Sequence, residues 1–233
     1  MSEGQAISVN FGREIPIFAL DSVILLPQQV LPLHIFEPRY IQMVRYVLDG
    51  AGQIAMAVVC DNVKDLSGDP PIKPAVCVGQ VVQHETLPDG RYNILVQGIC
   101  RAKVREDHMP EGEREYRAGL IEPIGEPNQD SEHLHPLRAW IEDELSGGSL
   151  RRLMVAEHVV EYVRNEEVPN SAVLELISFA LLSDPKLRYR LLAEGDVDRR
   201  AMMIERELQS LSSLISKAET QREEDLPKGC SWN

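Results

Sequence analysis

The stretch Leu31-Pro-Leu-His-Ile-Phe-Glu-Pro-Arg-Tyr40 joins a strand-like segment to the start of a helix within ten residues. Apolar residues alternate with other residues in its first half, which is typical of a strand, and Pro32 favours a position at the edge of a sheet. Pro38 stands where a first helical residue is expected. Apolar residues follow it with helical spacing, namely Ile41, Val44 and Leu48. The stretch therefore predicts an edge strand that leads directly into a helix.

Short strand patterns surround this stretch as far as about residue 123. Pro88-Asp89-Gly90 has the composition of a tight turn and predicts a hairpin between Val76–Leu87 and the strand that begins at Tyr92. Gly98 breaks the alternation of that strand, which predicts a bulge that bends it around a small barrel. Further strands are predicted at Ile15–Ile17 and Leu20–Leu26, with Asp21-Ser22 as a turn between them, and at Val30–Phe36, Ile54–Cys60 and Tyr116–Leu120. An exposed acidic loop is predicted at Glu106–Glu115.

After residue 123, apolar residues recur with helical spacing. Asp184 followed by Pro185 predicts a capped helix start, and Gly195 its end. A final long helix is predicted from Asp196, because apolar residues repeat there in a heptad pattern, at Val197, Ala201, Ile204, Leu208, Leu211 and Ile215. We favour packing of this stripe within its own helical lobe, and self-association through the C-terminal helix is the alternative.

The predicted fold class is therefore α+β, a barrel-like β lobe followed by a helical lobe that ends in a long helix. The predicted divisions are a flexible arm at 1–12, the β lobe at 13–123, the helical lobe at 124–217 and a disordered tail at 218–233.

Charge and composition argue against several classes of function, although a local basic patch can sit on an acidic protein. The chain has 24 basic and 37 acidic residues and a net charge of −13, which argues against DNA binding and against docking on anionic membranes. No apolar run approaches the length of a membrane span, and the N-terminus lacks the pattern of a secretory signal. Four widely spaced cysteines suggest reduced thiols. We therefore expect a cytoplasmic protein.

Two segments resemble a known family. The first runs from Pro16 through Pro27 and on through Leu31–Tyr40, and the second is Leu87-Pro-Asp-Gly-Arg-Tyr-Asn-Ile-Leu-Val-Gln-Gly-Ile-Cys-Arg101. Together they are similar to the amino-terminal substrate-binding domain of ATP-dependent Lon proteases, and more closely to its stand-alone bacterial relatives. A third similarity spans Leu181–Arg200. The resemblance implies a PUA-like pseudo-barrel followed by helices. The family often has glycine after Pro27, where this chain has Gln28.

No complete set of catalytic residues is present in the sequence. None of its fifteen glycines is followed by lysine, so it lacks the loop with which P-loop enzymes cradle phosphates. His133 and His135 are interpreted as part of a solvated helix start rather than a metal fragment, because further ligands are lacking. We expect no enzymatic activity, no cofactor and no metal. The resemblance instead implies a non-catalytic module that binds polypeptide, whereas RNA binding by a PUA-like barrel is the alternative and is disfavoured by the acidic charge.

The resemblance implies unfolded or extended polypeptide as the partner, with a protease or chaperone as a further candidate. Glu37, Arg39 and Tyr40 are the predicted polypeptide-binding residues, because their turn joins strand to helix and combines charged and aromatic side chains. The alternative is that Arg39 and Tyr40 tie the helix to the barrel. Unpaired edges of an incompletely closed barrel would offer backbone pairing to a client. Phe36 and Tyr92, as large aromatic residues of the matched segments, are expected to be buried.

Overall fold

The computed structural model describes residues 7–61, 63, 68–126 and 131–225. Its contacts divide the chain into two compact units, Met1–Pro127 with Ser183–Asp196 and Asn128–Leu182 with Val197–Asn233. The first unit contains the strands and the second most of the helices, so the predicted α+β class is confirmed.

The strand unit contains one six-stranded sheet. Its strands are β1 (Ile15–Leu20), β2 (Val30–Ile35), β3 (Gln53–Val58), β4 (Ala75–Thr86), β5 (Tyr92–His108) and β6 (Ala118–Pro123), and helix α1 (Pro38–Leu48) follows β2. The strand order is β2-β5-β4-β3-β1-β6, and β5 also pairs with β6. Five strands therefore close into a ring, and β2 extends the sheet outside it.

The length of β5 makes this arrangement possible. Its 17 residues pair with β2 over the first half and with β6 over the second, while β4 runs along its other side. The register with β4 skips Ile99, which confirms the bulge predicted beside Gly98. The predicted acidic loop at 106–115 is wrong at its start, because β5 continues to His108 and pairs there with Ala118.

A buried cluster fills the ring, and its members alternate along the strands: Ile15, Ile17, Ala55, Ala57, Val76, Val78, Ala102 and Ile121. Val9 and Phe11 pack against this cluster, so the described part of the predicted arm at 1–12 is anchored by apolar contacts. Residues 1–6 of that arm lie outside the described residues.

Two glycines, Gly79 on β4 and Gly98 on β5, face each other where the ring meets its extension. A Cβ atom built on Gly98 would lie 2.1 Å from the carbonyl oxygen of Leu26, and one built on Gly79 would lie 2.4 Å from a methyl carbon of Val96. The segment around Leu26 can therefore pack directly on the sheet only because both positions lack a side chain.

We predict that Gly98→Ala lowers the free energy of unfolding by at least about 2–3 kcal/mol, because the new methyl group would overlap backbone atoms that cannot move independently. Chemical denaturation measures the change. Gly50→Ala is the matched control, since its nearest neighbours would be 3.7 Å away. An equal, small effect at both positions would contradict this account of the close contact.

The predicted strand at Leu20–Leu26 is wrong beyond Leu20. The turn predicted at Asp21-Ser22 is present, with a φ of +59° at Ser22, but residues 23–26 are not in a strand. Ile24, Leu25 and Leu26 are nevertheless buried, because they pack in this irregular segment. Burial without a strand explains why their apolar run resembled one.

Gln28 also has a left-handed backbone, with a φ of +67°. This conformation suits glycine and costs other residues roughly 1–2 kcal/mol. The left-handed conformation that favours glycine after Pro27 in the resembling family is therefore present here, although the residue itself is glutamine.

We predict that Gln28→Gly raises the free energy of unfolding by about 0.5–1 kcal/mol, because relief of the left-handed strain exceeds the added entropy of the unfolded chain. Gln83→Gly, made within β4, should instead be destabilising by a similar amount. Urea denaturation of both variants tests the pair, and destabilisation by Gln28→Gly would contradict the prediction.

Helix α5 (Pro185–Ala193) belongs to the strand unit, although periodicity grouped it with the other helices. The Asp184 side chain accepts hydrogen bonds from the backbone N–H groups of Lys186 and Leu187, which confirms the predicted cap. The Tyr189 hydroxyl accepts from the N–H of Ala75 at 2.9 Å, and buried Arg101 donates to the carbonyl of Leu191 at 2.9 Å. These bonds hold α5 against β4 and β5.

The helical unit contains α2 (Leu134–Ser146), a 3-10 helix (Ser149–Arg152), α3 (Ala156–Arg164), α4 (Asn170–Ala180) and α6 (Val197–Asp225). Arg138 of α2 donates to the carbonyls of Val163, Asn165 and Val168 and thereby completes the end of α3. Four residues of the predicted heptad stripe are buried within this unit: Val197, Ala201, Ile204 and Leu208. Helix α6 runs to Asp225, and residues 226–233 lie outside the described residues.

Candidate functional site

The extension outside the ring presents an exposed sheet face formed by β2, β5 and β4. Register places His34, Asn93 and Glu85 side by side in one row, and Pro32, Leu95 and Gln83 in the next. We call these six residues the outer face. They line a groove of about 380 Å³. The opposite side of β5 is buried at Tyr92, Ile94 and Val96, so the strand alternation itself directs the six residues to solvent.

A chain of hydrogen bonds crosses the outer face. Arg91 approaches Nε2 of His34 at 3.1 Å, and Nδ1 of His34 lies 2.8 Å from Oδ1 of Asn93. Nδ2 of Asn93 then donates to Oε2 of Glu85 at 3.1 Å. An arginine can only donate and a carboxylate can only accept, so both ends fix the direction of the chain. With the proton of His34 on Nδ1, its Nε2 atom accepts from Arg91 and every donor of the chain points towards Glu85.

The start of this chain is held by a turn. Arg91 pairs with Asp89 at 2.6 Å, and the N–H of Arg91 also bonds the same carboxylate. The hydrogen bond from the Arg91 side chain lowers the pKa of Asp89, and the same bond raises the pKa of Arg91. Both groups therefore stay charged at neutral pH, and the hairpin tip orients Arg91 towards His34.

Phe36 stands at the border of the outer face, immediately after β2. It is 60% exposed, so the prediction that it is buried is wrong, whereas the same prediction for Tyr92 is confirmed. The Phe36 ring stacks on the His34 ring with 6.1 Å between centroids. A large aromatic side chain is thus exposed and partly oriented by its neighbour, which is the property expected of a contact residue.

The turn that contains Glu37, Arg39 and Tyr40 lies next along the chain. Arg39 pairs with Glu37 at 2.9 Å, donates to the carbonyl of Gly68 and lies 3.8 Å from the carboxylate of Asp69. Its guanidinium group also covers the ring of Tyr40 at 4.5 Å. These contacts give Arg39 a tying role between the start of α1 and the loop at 68–69.

Tyr40 is buried at 7% exposure. Its ring packs edge-on against Phe18 at 4.2 Å, and its hydroxyl donates to the carbonyl of Ala19. Burial raises the pKa of Tyr40. Of the two roles left open by the sequence, the contacts of Tyr40 match the one that ties helix to barrel.

We predict that Glu37→Ala with Arg39→Ala lowers the free energy of unfolding by about 1–3 kcal/mol with an unchanged far-UV spectrum, because a partly buried guanidinium group loses several bonds. Arg105→Ala is the control: Arg105 is 62% exposed and pairs only at the surface with Glu122, so its loss should cost at most about 1 kcal/mol. Equal effects would contradict a tying role for Arg39.

The closed ring with its β2 extension in one unit and the helices of the other define an α+β protein. A family model described as the ATP-dependent protease La (LON) substrate-binding domain matches residues 14–210. The chain belongs to this family. The matched range contains both segments discussed above, Leu31–Tyr40 and Leu87–Arg101.

Known relatives agree with this assignment. The chain is 20% identical over 193 residues to the Lon protease of Helicobacter pylori, covering 83% of this chain and 23% of that protein, and 34% identical over 95 residues to the Lon protease of Desulfovibrio desulfuricans, covering 40% and 10%. The chain thus spans about a quarter or less of the length of these relatives.

Solved structures show the same fold. The N-terminal domain of Mycobacterium avium complex Lon protease superimposes with a TM-score of 0.62 at 16% identity, over 82% of this chain and 96% of that one. The Lon N-terminal domain protein from Xanthomonas campestris gives 0.56 at 19% identity with the same coverage.

Sequence reasoning placed the site at one turn and missed the outer face. The hairpin signal at 88–90 does set Asn93 opposite Glu85 in the sequence. His34 and Asn93 are 59 residues apart in the chain, and their pairing has no local sequence signal. The row of His34, Asn93 and Glu85 could therefore not be predicted from the sequence.

Proposed function

We propose that this chain is a non-catalytic polypeptide-binding module of the Lon substrate-recognition type. The family match over residues 14–210 carries the proposal, because a substrate-binding domain implies polypeptide substrates. The match is to that domain and not to the protease or ATPase domains. No glycine of the sequence is followed by lysine, so the sequence contains no P-loop.

The outer face and Phe36 are the surface that we propose for client contact. Phe36, Pro32 and the half-buried Leu95 provide apolar area beside hydrogen-bonding groups, and unfolded chains expose both apolar side chains and backbone polar groups. The bonded row His34–Asn93–Glu85 restrains its side chains before binding, which lowers the entropy lost on contact.

The outer edge of β2 offers less backbone pairing to a client than the edges of an incompletely closed barrel would. The ring is closed by the pairing of β5 with β6, and within the described part of the chain no strand pairs with the outer edge of β2. Pro32 removes one backbone donor from this strand, and proline on an edge also limits sheet extension. We therefore propose that clients bind mainly through side chains on the face.

Glu37, Arg39 and Tyr40 remain proposed contact residues, with the bonded positions described above. Glu37 follows Phe36 directly and its side chain is 42% exposed, so it is the member of the three that a client on the outer face reaches most easily. The double change of Glu37 and Arg39 decides the matter when client binding is measured on the same samples used for stability.

The one Asp, Glu, Lys or Arg that lines the outer groove is Glu85, a carboxylate, and its negative charge disfavours a polyanion such as RNA there. None of the helices within the described ranges is both long and apolar enough to cross a membrane. We propose cytoplasmic polypeptides as the clients.

We predict that Phe36→Ala weakens binding of a chemically unfolded model protein by roughly 5–30-fold, the effect of losing an exposed aromatic anchor worth about 1–2 kcal/mol. The free energy of unfolding should stay within about 0.5 kcal/mol of wild type, because the ring is exposed. Tyr46→Ala is the matched control. Tyr46 is also 60% exposed, but it lies on helix α1 and not on the strands that form the outer face.

Fluorescence anisotropy with a labelled client measures binding, and thermal unfolding measures stability. Wild-type affinity retained by Phe36→Ala, or equal weakening by Tyr46→Ala, would remove the outer face as the contact surface. A wild-type protein that binds no unfolded client would overturn the proposed function itself.

A further inference from the structure

We propose that the outer face selects extended polypeptide segments that carry a basic side chain two residues from an apolar one, with Glu85 as the acceptor of the basic group. This inference rests on the proposed polypeptide-binding function and adds the chemical class of client. It depends on the position of one carboxylate within an otherwise uncharged groove.

Glu85 is the one Asp, Glu, Lys or Arg among the nine residues that line the groove. The hydrogen-bond chain ends on its Oε2 atom, and among the described residues no hydrogen bond or ion pair to its Oε1 atom is present. The carboxylate is exposed, so it retains access to a ligand. Its orientation is fixed by Asn93, while one oxygen is available to a cation.

The hydrogen-bond chain orients this acceptor, because Asn93 donates to its Oε2 atom. Arg91 is compensated by Asp89, so its charge does not neutralise Glu85. A lysine or arginine of a client would therefore meet a carboxylate without a charged partner in the groove. A client glutamate or aspartate would instead be repelled there, and the overall charge of −13 adds a weaker repulsion of the same sign.

The spacing follows from the register. Glu85 pairs with Asn93 and Gln83 pairs with Leu95, so Glu85 and Leu95 are diagonal neighbours on adjacent strands. Such neighbours lie about 7–8 Å apart. In an extended chain, side chains two residues apart point to the same side and are separated by roughly 7 Å. A client with an apolar residue at one position and a basic residue two positions later can therefore contact Leu95 and Glu85 together.

The test uses three labelled peptides in extended, glycine- and serine-flanked form. The first carries leucine and lysine two residues apart, the second has glutamate in place of lysine, and the third has leucine and lysine adjacent. Anisotropy at low salt should show wild-type protein binding the first peptide about two- to fivefold more tightly than either of the others, the range of an exposed ion pair. The preference should shrink at high salt.

Two variants that each remove one negative charge test whether Glu85 causes the preference for the lysine peptide. Glu85→Gln should abolish the preference for the lysine peptide, and Glu122→Gln, on β6 opposite Lys103 of β5, should leave it intact. Glu85 is exposed and the Glu122 side chain is 41% exposed, so neither change should shift thermal unfolding by more than the small cost of losing a surface ion pair. A preference that survives in Glu85→Gln, or that disappears equally in Glu122→Gln, overturns the role of Glu85.

The outcomes separate this inference from the function on which it rests. If all three peptides bind wild type equally, the charge and spacing selectivity is wrong while polypeptide binding stands. If none of the peptides binds and an unfolded protein does not bind either, the proposed function fails. Tighter binding of the glutamate peptide would also overturn the inference.

Discussion

The close approach of the segment around Leu26 to the sheet is the contact on which the rest of the strand unit depends. Gly79 and Gly98 face each other on β4 and β5, and a Cβ atom at Gly98 would overlap the Leu26 carbonyl. Because both side chains are absent, the N–H of Gln28 bonds the carbonyl of Gly98, and the N–H of Gly98 bonds the carbonyl of Gln29. These two bonds fix the chain against β5 immediately before β2 begins.

The candidate site is a consequence of the way these bonds align β2 on β5. Once β2 is aligned on β5, His34 falls opposite Asn93, and the hairpin has already set Asn93 opposite Glu85. The long strand β5 is shared between the closed ring and the exposed extension. A rigid core therefore supports a surface that faces solvent, which is how binding residues are usually positioned.

The turn after β2 separates two neighbouring aromatic residues into different roles. Phe36 is exposed beside His34, whereas Tyr40 is buried against Phe18 four residues later. Arg39 holds the turn by bonding to Glu37 and to the loop at Gly68. Two aromatic residues close together in the sequence therefore have different roles, one exposed and one structural, because the helix starting at Pro38 directs its first turn inwards.

The sequence by itself determined the α+β class, the hairpin at 88–90, the bulge beside Gly98 and the capped start of α5. Each of these follows from local rules of backbone conformation and periodicity, as in the Asp184–Pro185 pair. The tertiary structure alone decided that Phe36 is exposed, that residues 23–26 are buried without forming a strand, and that α5 packs on the sheet. It also assembled the outer face, since the row from Glu85 to His34 joins residues distant in the chain. Such pairings arise from loop closure and packing between remote segments, which leave no periodic signal in either one.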